Sequence, residues 1–226
     1  MDKEQLRSNL DDVIANIEQA RLKVSHHHIV KLVVAGKYTS VENITTLYSL
    51  GQRAFGENQV QQLESRNKEL EELPLEWHMI GTLQKNKINK LLALEPFLLQ
   101  SLDSLELAEA LEARLATKGQ KLDCLLQINS SNEETKSGTS PEIAIDLYQQ
   151  IATRCQHINL KGVMSIGANT SDNKIVQKSF EETFKIFEKL QKEGATICSM
   201  GMSGDYELAI KCGSNLVRIG SALFRN

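Results

Sequence analysis

The sequence predicts an α/β protein folded as a single (β/α)8 barrel, and three observations carry that reading. Short apolar runs alternate with longer amphipathic segments along the whole chain, the order expected of a parallel sheet with crossover helices. Eight such runs occur within 226 residues, a length that one barrel accommodates. No G-x-G-x-x-G follows the first run, so the signature that opens a doubly wound dinucleotide fold is missing. One domain, residues 1–226, is expected, because no Pro/Gly/Ser-rich linker, low-complexity tract or close repeat interrupts the pattern.

The elements follow in order. Residues 3 to 23 set Leu6, Leu10, Val13, Ile14 and Ile17 on one stripe among charges, which predicts an amphipathic helix. Val30 to Ala35 predicts the first strand, and Ser40 caps a helix carrying Ile44, Leu47 and Tyr48 that Gly51 ends. Ala54 to Phe55 leads into a helix over 57–70, and Glu76 to Ile80 leads through Gly81 into a helix over 84–93. Phe97 to Ser101 is strand four, and Asp103, three residues before Glu106, reads as a capping box for a helix that Gly119 stops. Leu122 to Ile128 is the strongest strand pattern, and Ser140-Pro141 places a cap and a first-turn proline ahead of the next helix. Leu160 to Ile166 precedes a helix over 173–192 with Phe180, Phe184 and Phe187 on one face. Ala195 to Ser199 precedes a helix over 203–212, and Asn215 to Ile219 is the eighth strand. The seven residues that remain are too few for a closing helix, so the N-terminal helix is expected to complete the outer ring.

Composition narrows the function. A net charge of −3 with interleaved signs gives no cationic surface for nucleic acid or an anionic membrane, so a small-molecule ligand is expected. Neither an N-terminal apolar leader nor a run of about eighteen apolar residues is present, which predicts a cytoplasmic protein. Cys124, Cys155, Cys198 and Cys212 are widely spaced and read as reduced, mostly buried thiols. His26, His27 and His28 are consecutive and do not share a face, so no metal site is assigned to them. Lys85, Lys87 and Lys90 read as a solvated helix face.

In a barrel the chemistry sits where the strands end. Strand one ends at Lys37, directly after Leu32-Val33-Val34-Ala35. A lysine partly desolvated there would become a better nucleophile toward an aldehyde, while the plainer reading is a strand-end lysine reaching water. Met202-Ser203-Gly204-Asp205 opens the seventh-unit helix, and Arg218-Ile219-Gly220-Ser221 ends strand eight. Two glycine-hydroxyl pairs after strands seven and eight suit a phosphate, although each alone also reads as an ordinary cap or turn. Strand two ends at Glu57 and Asn58, and strand three presents His78. The loop from Asn129 to Gly138 has the position of a lid.

Several of these segments together resemble the pyridoxal phosphate homeostasis proteins, single-domain barrel relatives of the alanine racemase N-terminal domain (PLP fold type III). The likeness covers nearly the whole chain. It rests on Val33 to Lys37, Phe55-Gly56-Glu57-Asn58, Trp77 to Gly81 with Leu83 to Lys87, Ser199 to Asp205, and Val217 to Ser221. The resemblance implies pyridoxal 5′-phosphate (PLP) as cofactor, held as a Schiff base on Lys37. It also implies that Ser203, Gly204, Gly220 and Ser221 hold the phosphate, that Arg218 faces the pyridine nitrogen, and that Asn58 and His78 line the ring pocket. It further implies a monomer that buffers or delivers PLP to PLP-dependent apo-enzymes, without robust turnover.

Physical chemistry points the same way, because a cationic arginine at the pyridine nitrogen keeps that nitrogen unprotonated and weakens the ring as an electron sink. The alternative is a PLP-dependent amino-acid racemase-like enzyme, which needs a second acid/base, and Tyr38 beside Lys37 is not an evident one. A third reading is a barrel for another phosphorylated metabolite, in which Lys37 makes only an ion pair. The chain departs from the family pattern at Gly36, where serine is usual, at Thr82 for histidine, at Lys85 for serine and at Gly167 for proline.

Overall fold

Each apolar run becomes a strand because its branched and aliphatic side chains can pack on both faces of a sheet that helices cover outside. The strands are β1 (Lys31–Ala35), β2 (Ala54–Glu57), β3 (Glu76–Met79), β4 (Leu98–Leu102), β5 (Leu122–Ile128), β6 (Ile158–Ser165), β7 (Ile197–Ser199) and β8 (Leu216–Ile219). The helices are α1 (Lys3–Leu22), α2 (Val41–Ser49), α3 (Val60–Glu69), α4 (Ile88–Ala93), α5 (Leu105–Lys118), α6 (Ala144–Arg154), α7 (Asn173–Leu190) and α8 (Tyr206–Lys211). This computed structural model describes all residues except Tyr38, Asn132, Glu134, Thr135 and Asn226.

The eight strands form a closed barrel in sequence order, each parallel to its neighbours. β1 closes it against β8, with Val33 beside Arg218. α1 packs between α8 and α2 and so takes a place in the outer ring of helices. Asn9, buried on α1, donates from Nδ2 to Leu223 O and Arg225 O, both at 2.9 Å, and ties the chain's end to its beginning.

Side chains alternate across each strand, so one set fills the barrel and the other meets the helices. Val33, Ala54, Leu98, Leu125, Met164 and Leu216 form the inner apolar cluster. The larger core, with Phe55, Leu63, Leu111, Tyr148 and Phe180 among its members, lies between strands and helices. Phe180 and Phe187 of α7 are buried there, with Phe184 partly buried against them.

Several local expectations are corrected. Ser104, not Asp103, caps α5: its Oγ accepts from Leu107 N at 3.3 Å, because the extended backbone at Ser104 places its hydroxyl at the helix mouth. Ile14 is 45% exposed, one position off the face that buries Leu6, Leu10, Val13 and Ile17. Ser140-Pro141 forms a separate turn, and α6 begins at Ala144. The segment 203–205 is likewise a turn ahead of the short α8. Residues 57–59 continue and leave β2, so α3 starts later than the periodicity suggests. Cys124, Cys155 and Cys198 are buried free thiols, and Cys212 is half-buried. Among the described residues no helix is long and apolar enough to cross a membrane.

Candidate functional site

A cavity of about 560 Å³ opens at the end of the barrel where the strands finish. Ala35, Ile80, Met164, Ile166 and Phe224 give it an apolar wall, and Lys37, Asn58, Ser203, Gly204, Arg218, Gly220 and Ser221 supply its polar groups. Seven of the eight residues singled out from sequence therefore share one cavity. His78 does not line it. Along β3 the inward positions are His78 and then Ile80, and two residues of strand place the imidazole roughly 6–7 Å deeper than the residue that reaches the cavity.

Lys37 sits on the turn that follows β1 and is exposed, so the partial desolvation expected from its place after an apolar strand is not found. Arg218, on β8, is only 4% exposed. Its Nη1 donates to Ser199 O at 3.0 Å and Ser199 Oγ at 2.6 Å, and its Nη2 donates to Ser165 O at 2.9 Å. Burial pulls its guanidinium down to about 10, with the Asp205 carboxylate opposing, so it stays cationic at neutral pH.

Behind Arg218 a hydrogen-bond chain crosses the barrel. A guanidinium only donates, so Ser199 Oγ accepts from it and passes its own proton toward Gln100 Oε1 at 2.7 Å. That fixes the Gln100 amide, whose Nε2 faces His78 Nδ1 at 2.9 Å. The imidazole must then accept at Nδ1 and carry its proton on Nε2, which is buried and has no hydrogen-bond partner among the described residues. Burial, with the Lys31 charge adding to it, pushes His78 down to about 3 and keeps the ring neutral.

The two loops expected to hold an anion are joined to each other. Ser203 Oγ accepts from Gly220 N and Ala222 N, each at 3.2 Å, which leaves its O–H as a donor. Met202 N is taken by Asp205 Oδ1 at 2.7 Å, so the first amide of that loop is not available to a ligand. A side chain at Gly204 would enter open space, whereas one at Gly220 would stand 3.1 Å from Ala35 O. Gly81 has a stricter role: a Cβ there would run into the backbone of Asn58, so glycine lets the Asn58 loop close over the end of β3.

Other strand-end residues serve the loops. Ser101 Oγ donates to Gly81 O at 2.7 Å, and Gln127 Nε2 donates to Ser137 O at 2.9 Å. In the segment expected as a lid, Lys136 Nζ donates to Glu133 Oε1 at 2.7 Å and Gly167 O at 2.8 Å, which fastens it to the loop after β6. A second cavity of about 570 Å³ lies on that side and shares Ile166, Met202, Ser203 and Gly204 with the first, but neither Lys37 nor Arg218 reaches it. Tyr38, weighed as a second acid/base, lies outside the described residues. Sequence reasoning missed Phe224 and the two partners of Glu57, Gln62 and the buried Arg66, because a tail residue and a helix arginine carry no pattern that marks them as interior.

Residues 8–225 match the family described as alanine racemase, N-terminal domain. A pyridoxal phosphate homeostasis protein of Helicobacter pylori is 54% identical over 219 residues, covering 97% of this chain and 98% of the relative. The human protein of the same name is 36% identical over 86% of this chain and 75% of its own length. Among solved structures, one described as an unknown protein from Bifidobacterium adolescentis superposes with a TM-score of 0.91 at 31% identity, covering 99% of this chain and 97% of that one. PipY of Synechococcus elongatus, solved with PLP bound, superposes with a TM-score of 0.78 at 31% identity over 93% of this chain and all of its own.

Proposed function

Because the chain belongs to the alanine racemase N-terminal domain family and, within it, to the pyridoxal phosphate homeostasis proteins, we propose that it binds PLP at the barrel mouth as a Schiff base on Lys37 and buffers or delivers it to PLP-dependent apo-enzymes. The observation that carries this reading is one cavity onto which a lysine amine, a buried arginine and two linked glycine-serine loops converge. The residues suit the group: Ser203 keeps a hydroxyl proton to donate, Gly204 leaves space at the backbone, and the Lys37 and Arg218 cations favour an anionic ligand.

In this reading Ser203, Gly204, Gly220 and Ser221 take the phosphate, Asn58 and the apolar wall flank the ring, and Arg218 faces the ring nitrogen. His78 acts at one remove, through Gln100 and Ser199. The aldehyde is the cofactor's contribution, and the protein's is a placed amine and an anchored anion. Among the described cavity residues the titratable side chains are Lys37 and Arg218. A racemase-like turnover needs a second proton carrier on the ring's other face, so cofactor custody fits this residue set better than racemisation. A monomer in the cytoplasm completes the proposal.

Reconstitution with PLP should give a yellow protein whose visible band is absent from Lys37→Ala, with no sustained formation of D-alanine from L-alanine. A colourless wild type that still binds a phosphate ester would instead favour an ion-pairing role for Lys37 and another phosphorylated ligand.

A further inference from the structure

The turn that presents Lys37 is closed by Thr39 N donating to Gly36 O at 3.1 Å, and Gly36 N donates to Gly56 O at 2.9 Å. Glycine is permissive, so these two bonds alone leave the direction of the turn weakly specified. The remaining grip comes from α3. Arg66, 7% exposed, donates from Nη1 to Gly36 O at 2.5 Å and from Nη2 to Thr39 O at 2.6 Å, one carbonyl on each side of Lys37. The same guanidinium is ion-paired with Glu57, which is fully buried at the end of β2. Gln62 completes the group once its amide is turned to the orientation its neighbours require, in which the nitrogen donates to Glu57 Oε2 at 3.2 Å and the oxygen accepts from Arg66 Nη2 at 3.3 Å.

A buried ion pair is a poor device for stability alone, since apolar residues of similar volume commonly serve as well or better. Its distinctive property here is geometric, because a planar fork can hold two carbonyls and a carboxylate at once while a lysine's point charge cannot. We propose that Arg66 is the positioning residue of Lys37, its Glu57-anchored guanidinium fixing the Gly36–Thr39 turn so that the amine meets an aldehyde held in the cavity. The inference rests on the PLP reading above. In the step it favours, Lys37 first gives a proton to solvent. The amine lone pair then adds to the aldehyde carbon, and the carbonyl oxygen leaves as water with the amine's two hydrogens, so a C=N bond replaces C=O without any redox partner. Gly36 is matched to the device: a Cβ at that position would collide with the Arg66 guanidinium and the Glu57 carboxylate.

The test compares wild type, Arg66→Lys and the double variant Arg66→Met/Glu57→Leu, which removes both charges together and keeps the core apolar. Circular dichroism establishes that each folds. Stopped-flow absorbance measures Schiff-base formation with PLP, and calorimetry measures binding of 4′-deoxypyridoxine 5′-phosphate, which lacks the aldehyde. Both variants should form the Schiff base about ten-fold or more slowly while binding of the analogue stays within about two-fold. Hydrogen exchange of the Thr39 amide in the ligand-free protein should accelerate in both. Equal losses for PLP and the analogue, an unchanged rate, or unchanged Thr39 exchange would each overturn the proposal. If wild type itself forms no adduct on Lys37, the PLP reading fails, and the Thr39 exchange still decides whether Arg66 fixes the turn.

Discussion

His78 should make this protein lose stability on mild acidification. The imidazole is fully buried in the barrel, and burial together with the Lys31 charge pushes it from 6.5 down to about 3. Between those values the unfolded chain binds a proton that the native state refuses. The neutral ring's contribution is therefore complete above pH 6.5 and is lost progressively toward pH 3. At roughly 1.4 kcal/mol per unit, acidification to about pH 5 removes about 2 kcal/mol, and the full span removes about 5 kcal/mol. The perturbation is His78→Gln, whose amide oxygen can accept from Gln100 as Nδ1 does but does not titrate. Urea denaturation of both proteins at about pH 7.5 and pH 5 isolates the effect as the difference between their slopes. Wild type should lose about 2 kcal/mol more than the variant. Equal slopes, within about 0.5 kcal/mol, would refute the assignment of a buried neutral imidazole at this layer.

Glu57 should act in the opposite sense. Burial pushes its carboxyl from 4.5 up to about 7 against the pull of Arg66, so its contribution is present below pH 4.5 and is lost as pH rises through 7. Glu57→Gln should abolish that trend, so that on acidification from pH 7 toward pH 5 the variant's urea midpoint shifts to lower denaturant relative to wild type's. Gln100→Leu should leave the Ser199 hydroxyl proton and His78 Nδ1 without their partner in a buried layer, costing about 4 kcal/mol and lowering Tm by roughly 8–16 °C. Ser203→Ala should remove the acceptor shared by Gly220 N and Ala222 N, costing about 1–3 kcal/mol and weakening PLP binding about ten-fold by fluorescence titration.

The barrel was legible because its signal is repeated: eight apolar runs and their intervening helices each state the same periodicity, and β5 begins and ends where the pattern places it. Helix starts were less legible. Asp103 and Ser104 are adjacent potential caps, and only the backbone angles at Ser104 choose between them. The candidate site was readable where it depends on strand ends, as with Lys37 and Arg218, and where glycine meets hydroxyl, as at 203–204 and 220–221. Depth was not readable. His78 carries the strand-three signal, yet the alternation of the strand sends Ile80 to the cavity and His78 to the layer beneath. Arg66 was invisible for a related reason: a helix arginine ordinarily reaches water, and only the packing of α3 against the Lys37 turn turns it inward.

Borohydride reduction of the PLP-loaded protein followed by peptide mass mapping is the most direct measurement of where the amine of this site lies. A stoichiometric pyridoxyl-phosphate adduct on the peptide containing Lys37, absent after Lys37→Ala, is the expected result. An adduct concentrated on Lys136 or any other lysine, or none at all on a protein that still binds PLP, would contradict the account.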